Sequence, residues 1–141
     1  MRPDRFLRLA LTAAPTIPGV TRAEHVTEDG RSNRPYLFAL ETGGKVTRWQ
    51  VATMSAPGDS YDQPEREPAL GDKPQLPTAP PAAVGSAEQV EGALIAAILA
   101  ADSGEIAGVE AYSQRQPAGA IACGATFLFH SGAKIFLNHV Q

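Results

Sequence analysis

Apolar residues recur at helical spacing in two stretches of the chain and at strand spacing in several others. In the first helical stretch, Phe6, Leu9, Ala10 and Ala13 share one face of a helix from Arg5 to about Ala13, with Arg5, Arg8 and Thr12 elsewhere. Asp4 is placed to cap this helix, and Pro15 and Pro18 end it. The second stretch opens with Ser86-Ala-Glu-Gln89, a capping box in which the serine oxygen accepts from the amide three residues on while Gln89 reaches back. Strong helix formers then run from Ala87 to Ala101, and Asp102-Ser-Gly104 supplies the stop. Both sides of Leu94 to Ala101 are apolar, so this helix is expected to be covered around most of its circumference.

After each helix the same series appears. Ile17-Pro-Gly-Val20 corresponds to Ile106-Ala-Gly-Val109, Gly30 to Gly119, Phe38 to Phe127, Thr42-Gly-Gly-Lys-Val46 to Ser131-Gly-Ala-Lys-Ile135, and Val51 to Val140. The spacing is 89 positions throughout, and from Thr16 to Val51 it yields eight identities in 36 positions without a gap. The shared glycines fall where turns want a positive φ, and the shared apolar positions fall on strands. The pattern predicts an α+β fold of two tandem αβββ units, a duplication about a pseudo-twofold axis, with antiparallel sheets and helices packed on them. The units span Met1 to Ser55 and Ser86 to Gln141 and together form one compact domain, joined by a proline-rich acidic linker from Ala56 to Gly85.

Loop length fixes hairpin pairing. If Thr42-Gly43 and Ser131-Gly132 are two-residue loops, Tyr36 faces Trp49 and Phe127 faces Phe136. The helix-facing surfaces then collect Tyr36, Phe38, Leu40, Trp49 and Val51 in the first unit. In the second they collect Ile121, Cys123, Phe127, Phe129, Phe136 and Val140. The opposite face of the first unit shows Leu37, Ala39, Val46, Arg48 and Gln50, a mixed surface suited to water. That of the second shows Thr126, Leu128, Ile135, Leu137 and His139, too apolar for a solvated sheet face. The other half of the chain, the linker, a second copy or a partner protein is expected to cover it.

Composition adds the character of the linker. Ala56 to Gly85 holds seven of the twelve prolines and five acids against two bases, a stretch that favours extended polyproline II conformation and buries little apolar surface. Pro74-Gln-Leu-Pro77 and Pro77-Thr-Ala-Pro80 match the PxxP ligand pattern, as any proline-rich segment does by chance. Charge is uneven: Met1 to Ser55 carries eight bases and five acids, whereas the linker and the second unit each carry two bases and five acids. Arg31, Arg34, Lys45 and Arg48 could form a basic edge for an anionic partner, or serve as ordinary surface charge drawn to the acidic linker. The net charge of -3 gives no bulk case for binding nucleic acid. Arg8 interrupts the N-terminal apolar run, which argues against a secretory signal, and Gly92 to Ala101 is about half the roughly 20 residues of a membrane span.

Little in the chain points to catalysis. Cys123 is the single cysteine, which excludes an internal disulfide and suits a reducing, cytoplasmic compartment. His130 and His139 sit near opposite ends of one hairpin, more than roughly 20 Å apart at about 3.3 Å per residue, and cannot share a metal. His25 reads as a strand or turn residue, and no His/Asp/Glu cluster has metal-ligand spacing. Cys123 with His139 is the one nucleophile-like pair. The favoured register puts the two on opposite faces, whereas a three-residue loop would bring them together. No GxGxxG, Walker, GxSxG or HExxH sequence occurs. The expectation is therefore a non-enzymatic protein-interaction module or assembly component without cofactor or metal, a homo-oligomer or partner binder. It would act through Leu128, Ile135, Leu137 and His139 or through the basic edge. The alternatives are a small-molecule domain with Trp49 and Tyr36 lining a pocket between the units, and an enzyme relying on Cys123.

Overall fold

The computed structural model describes residues 1–27 and 35–140. Its elements run α1 (Pro3–Ala13), β1 (Val20–His25), β2 (Leu37–Thr42), β3 (Lys45–Met54), α2 (Ala87–Ala101), β4 (Ile106–Ala111), β5 (Gly124–Phe129) and β6 (Lys134–Val140). The strands form one antiparallel sheet in the order β1-β2-β3-β6-β5-β4, and both helices lie on the same face of it. Each helix precedes three neighbouring strands, and the halves meet where β3 pairs with β6, from Arg48↔Val140 to Met54↔Lys134.

Local chemistry sets the helix ends. Around α2 the capping box forms as the sequence predicts: Gln89 N donates to Ser86 Oγ at 3.1 Å, and Ser86 N to Gln89 Oε1 at 3.1 Å. The start of α1 differs. Pro3 occupies the first turn, where its missing N–H costs nothing, and Asp4 lies inside the helix beside Arg8 instead of capping it. Phe6, Leu7, Ala10 and Ala13 are buried, and Phe6 packs on Phe127 with ring centroids 5.1 Å apart.

The two hairpins turn differently. Between β2 and β3 the two loop residues are Gly43 (φ 56°) and Gly44 (φ 80°), the pair of positive φ values a type I′ turn requires. The loop is one residue later than expected, so Trp49 pairs with Phe38, two residues from the expected Tyr36, and every residue keeps its expected face. Between β5 and β6 the loop has three residues, His130 to Gly132, with Gly132 at φ 91° and Phe129 N bonded to Ala133 O at 3.0 Å. Phe127 therefore pairs with Ile135, not Phe136. That extra loop residue turns β6 over relative to the expected register.

Ile135 and Leu137 consequently point at the helices and are fully buried in the core with Phe38, Leu40, Trp49, Val51 and Phe127. Phe136 and Val140, expected in the core, lie on the far face and are half-buried. Nor does a constant 89-residue spacing hold along the strands, because Val46 and Ile135, which it equates, occupy opposite faces.

The connection from Ser55 to Ser86 contains no helix or strand, yet it is fastened to the domain. Arg2 holds Asp59 at 3.0 Å, and Arg5 holds Glu65 at 2.6 Å and the buried Glu105 at 2.5 Å. Further along, Gly71 N donates to Gly104 O, and Lys73 Nζ to Leu99 O at the end of α2. Two of the segment's five acids, Asp59 and Glu65, are thus drawn to the N-terminal end of α1.

Candidate functional site

One face of the sheet carries no helix. Alternation along the strands assigns it Leu37, Ala39 and Glu41 from β2, Val46, Arg48, Gln50, Ala52 and Met54 from β3, Lys134, Phe136, Asn138 and Val140 from β6, and Thr126 and Leu128 from β5, and of these Leu37, at the start of β2, is buried. Val46 is 59% exposed, Met54 54% and Leu128 41%. The open face thus has small polar residues, Gln50 and Asn138, at its centre, with apolar side chains around them. Leu128 belongs to it as expected. Ile135, Leu137 and His139 do not, because the reversed β6 carries them to the helix side.

His139 instead stacks against the buried Trp49, with ring centroids 5.0 Å apart, and burial pushes its imidazole below the usual range so that it stays neutral near pH 7. Trp49 is fully buried and its indole N–H donates to Thr47 Oγ1 at 2.9 Å. Of the expected basic edge, Arg31 and Arg34 lie outside the described residues. Lys45 and Arg48 are both exposed, but they sit on opposite faces of β3.

Cys123 meets His139 directly across the hairpin, with His139 N bonded to Cys123 O at 3.1 Å. The environment nonetheless disfavours a thiolate. Burial and then the nearby carboxylates of Glu91 and Glu88 push the thiol upward, the reverse of what a nucleophile needs. Among the described residues no group of three His, Cys, Asp or Glu side chains is arranged to hold a metal ion, and no helix is long and apolar enough to cross a membrane.

Two polar groups missed by sequence reasoning shape the surroundings of the open face. Glu91, on the inner side of α2, is 3% exposed and accepts from Gly124 N at 2.8 Å, Ser113 N at 3.2 Å and Ser113 Oγ at 2.5 Å. It fixes the β4–β5 connection, so that Tyr112 reaches Thr126 Oγ1 on the open face at 2.8 Å. Arg115, paired with Glu110, lies 3.7 Å over the Tyr112 ring and closes that corner. The signal available in the sequence was Glu91, the second carboxylate of α2, set beyond the first turn next to Val90 and just before the run from Gly92 that carries no polar side chain, which implies a partner at that depth.

Two depressions flank the helices. A cavity of about 360 Å³ lies between α1 and the connecting segment, but its buried charge is consumed internally, Arg5 by Glu65 and Glu105, while Arg66 bonds to Pro57 O. A second groove, of about 240 Å³, separates Ile17 and Pro18 from Ala93, Ala96 and Ala97 of α2, with Pro80 to Val84 along one wall and no charged side chain. No family model, curated protein or solved structure matches the chain.

Proposed function

We propose that this chain is a non-enzymatic protein-binding module whose contact surface is the helix-free face of its sheet. The observation that carries the reading is the exposure of Val46, Met54 and Leu128 on that face, where a solvated antiparallel sheet ordinarily presents polar side chains. Phe136 and Val140 extend the apolar area, and Arg48, Lys134 and Glu41 supply polar rim groups of both signs, the composition of a non-obligate interface. The partner is a protein, either a second copy or another chain. The lone cysteine favours a reducing, cytoplasmic setting. We also infer that the halves descend from one duplicated αβββ unit, supported by the matching order of helix and strands on either side of the β3–β6 seam.

The test compares the native chain with the Met54→Asp/Leu128→Asp double variant, by light scattering across a concentration series and by quantitative mass spectrometry of proteins retained on the tagged chain. Loss of self-association or of a specific retained protein, with the unfolding midpoint unchanged, is the expected result. Identical behaviour of the two folded proteins in both measurements would overturn the reading.

A second reading, a site for a small uncharged apolar ligand, is favoured by one feature: the groove between Ile17 and α2 joins the two halves and is lined almost wholly by aliphatic and proline carbon.

A further inference from the structure

The connecting segment changes character after Lys73. Up to that point it is fastened by ion pairs and backbone hydrogen bonds, and it is fastened again where Gly85 N donates to Gln89 Oε1 at 2.8 Å. Between these anchors, from Pro74 to Val84, no hydrogen bond among the described residues ties the chain to the rest of the protein. The less exposed positions here are Pro74, Thr78, Pro81 and Val84, the last three at every third residue, which is the period of a polyproline II helix laying one ridge on a surface. Below that ridge are glycine and small side chains. A methyl group placed on Gly92 would lie 3.4 Å from Pro81 Cδ and 3.9 Å from Thr78 Oγ1, and one on Gly19 would lie 3.0 Å from Val84 Cγ2. Ala93, Ala96 and Ala97 of α2 complete the contact.

We infer that Pro74–Val84 is a hinged cover that lifts from α2 as a unit, between anchors at Lys73 and Gly85, while the sheet and both helices stay folded. Lifting breaks no hydrogen bond among the described residues and separates apolar contacts, Val84 against the core among them, and the prolines keep the moving piece extended instead of letting it collapse. Its consequence is access. The wall of the groove formed by Pro80 to Val84 moves away, and Ala93, at present buried, becomes reachable from solvent. The inference concerns motion and does not depend on which binding reading holds.

Thiol labelling tests it in the full chain carrying Cys123→Ser, with Ala93→Cys as the reporter beneath the cover and Thr78→Cys as a second reporter on its inner ridge, should the first fail to fold. Opening of the cover alone exposes little surface, so labelling below the unfolding transition is expected to be nearly independent of urea. Gly92→Leu, whose Cβ would lie 3.4 Å from Pro81 Cδ and whose longer side chain grows from that point, is expected to speed labelling roughly tenfold or more by holding the cover off, and to leave the unfolding midpoint unchanged or raised because leucine suits a helix interior better than glycine. Labelling that rises with urea along the slope of global unfolding, or that is indifferent to Gly92→Leu, would show the cover to be a fixed element of the fold.

Discussion

Replacing Glu91 with alanine tests how the helix layer controls the far side of the sheet. The carboxylate is 3% exposed and serves three donors: the backbone amides of Ser113 and Gly124 and the Ser113 hydroxyl. Hydrogen bonds to a charged acceptor are worth about 1.5–3 kcal/mol each, and a buried donor left without one costs about 1–3 kcal/mol. The three share one carboxylate and relax together, so their energies do not add, and about 3–5 kcal/mol is expected for Glu91→Ala. Glu91→Gln keeps one oxygen for Gly124 N and lets the Ser113 hydroxyl turn to accept, so it should lose about 1–2 kcal/mol. Against a typical stability of about 5–15 kcal/mol, the alanine loss is a large fraction. Urea unfolding followed by circular dichroism measures it, with the midpoint moving and the slope constant. A loss below about 1 kcal/mol for Glu91→Ala, or equal losses for the two variants, would refute the assignment of Glu91 as the anchor of the β4–β5 connection.

Two further expectations follow from the register and the ion pairs. Leu137→Ala should cost about 2–5 kcal/mol by leaving a cavity beneath the helices, whereas Phe136→Ala on the open face should cost much less; the reverse order in urea unfolding would restore the two-residue loop. The pH dependence has a definite sign. A hydrogen bond from Arg2 holds the Asp59 carboxyl below its usual range; burial pushes Glu65 up, but the hydrogen bond and charge of Arg5 outweigh it and leave Glu65 lowered too. Because both folded values lie below the unfolded ones, the unfolded chain takes up more protons as pH falls. Their contribution is complete above about pH 4–5 and disappears as pH drops through the folded values. Asp59→Asn with Glu65→Gln should flatten the acid limb of the stability curve, and an unchanged limb in urea titrations from pH 7 to pH 3 would contradict the pairing.

How much of this was legible depended on whether a local signal had one physical meaning. Ser86 and Gln89 announce a helix start because both halves of the capping box must be present to satisfy the amides, and α2 begins and ends where they and Asp102 place it. In the first hairpin, either choice of two loop residues leaves Phe38, Leu40, Trp49 and Val51 on one face, so the error of one step was harmless. In the second, His-Ser-Gly suits a three-residue loop as well as Ser-Gly suits a two-residue one. β6 does not arbitrate, since Ile135, Leu137 and His139 on one side and Phe136, Asn138 and Val140 on the other each offer two apolar residues and one polar. Only packing against Phe127 and the helices decides, and that contact is remote in sequence. The connecting segment was legible in part: its acids suit attraction to the basic first unit, but nothing local says that Arg2 and Arg5, some sixty positions upstream, are the bases that Asp59 and Glu65 meet.

The β3–β6 seam also bears on how the protein is made. β3 pairs with a strand more than eighty residues further along, the last in chain order, so the central ladder of the sheet cannot close until nearly every other element has been synthesised. Until then β3 is a sheet edge ten residues long, carrying Trp49 and Val51 on one side and Met54 and Val46 on the other. Such a strand is a template for pairing with the wrong chain, and ordering so distant a contact is slow. During synthesis, the half-made molecule is therefore at greater risk from its neighbours than the finished one, and yield in cells should respond more to substitutions along this seam than equilibrium stability alone would suggest.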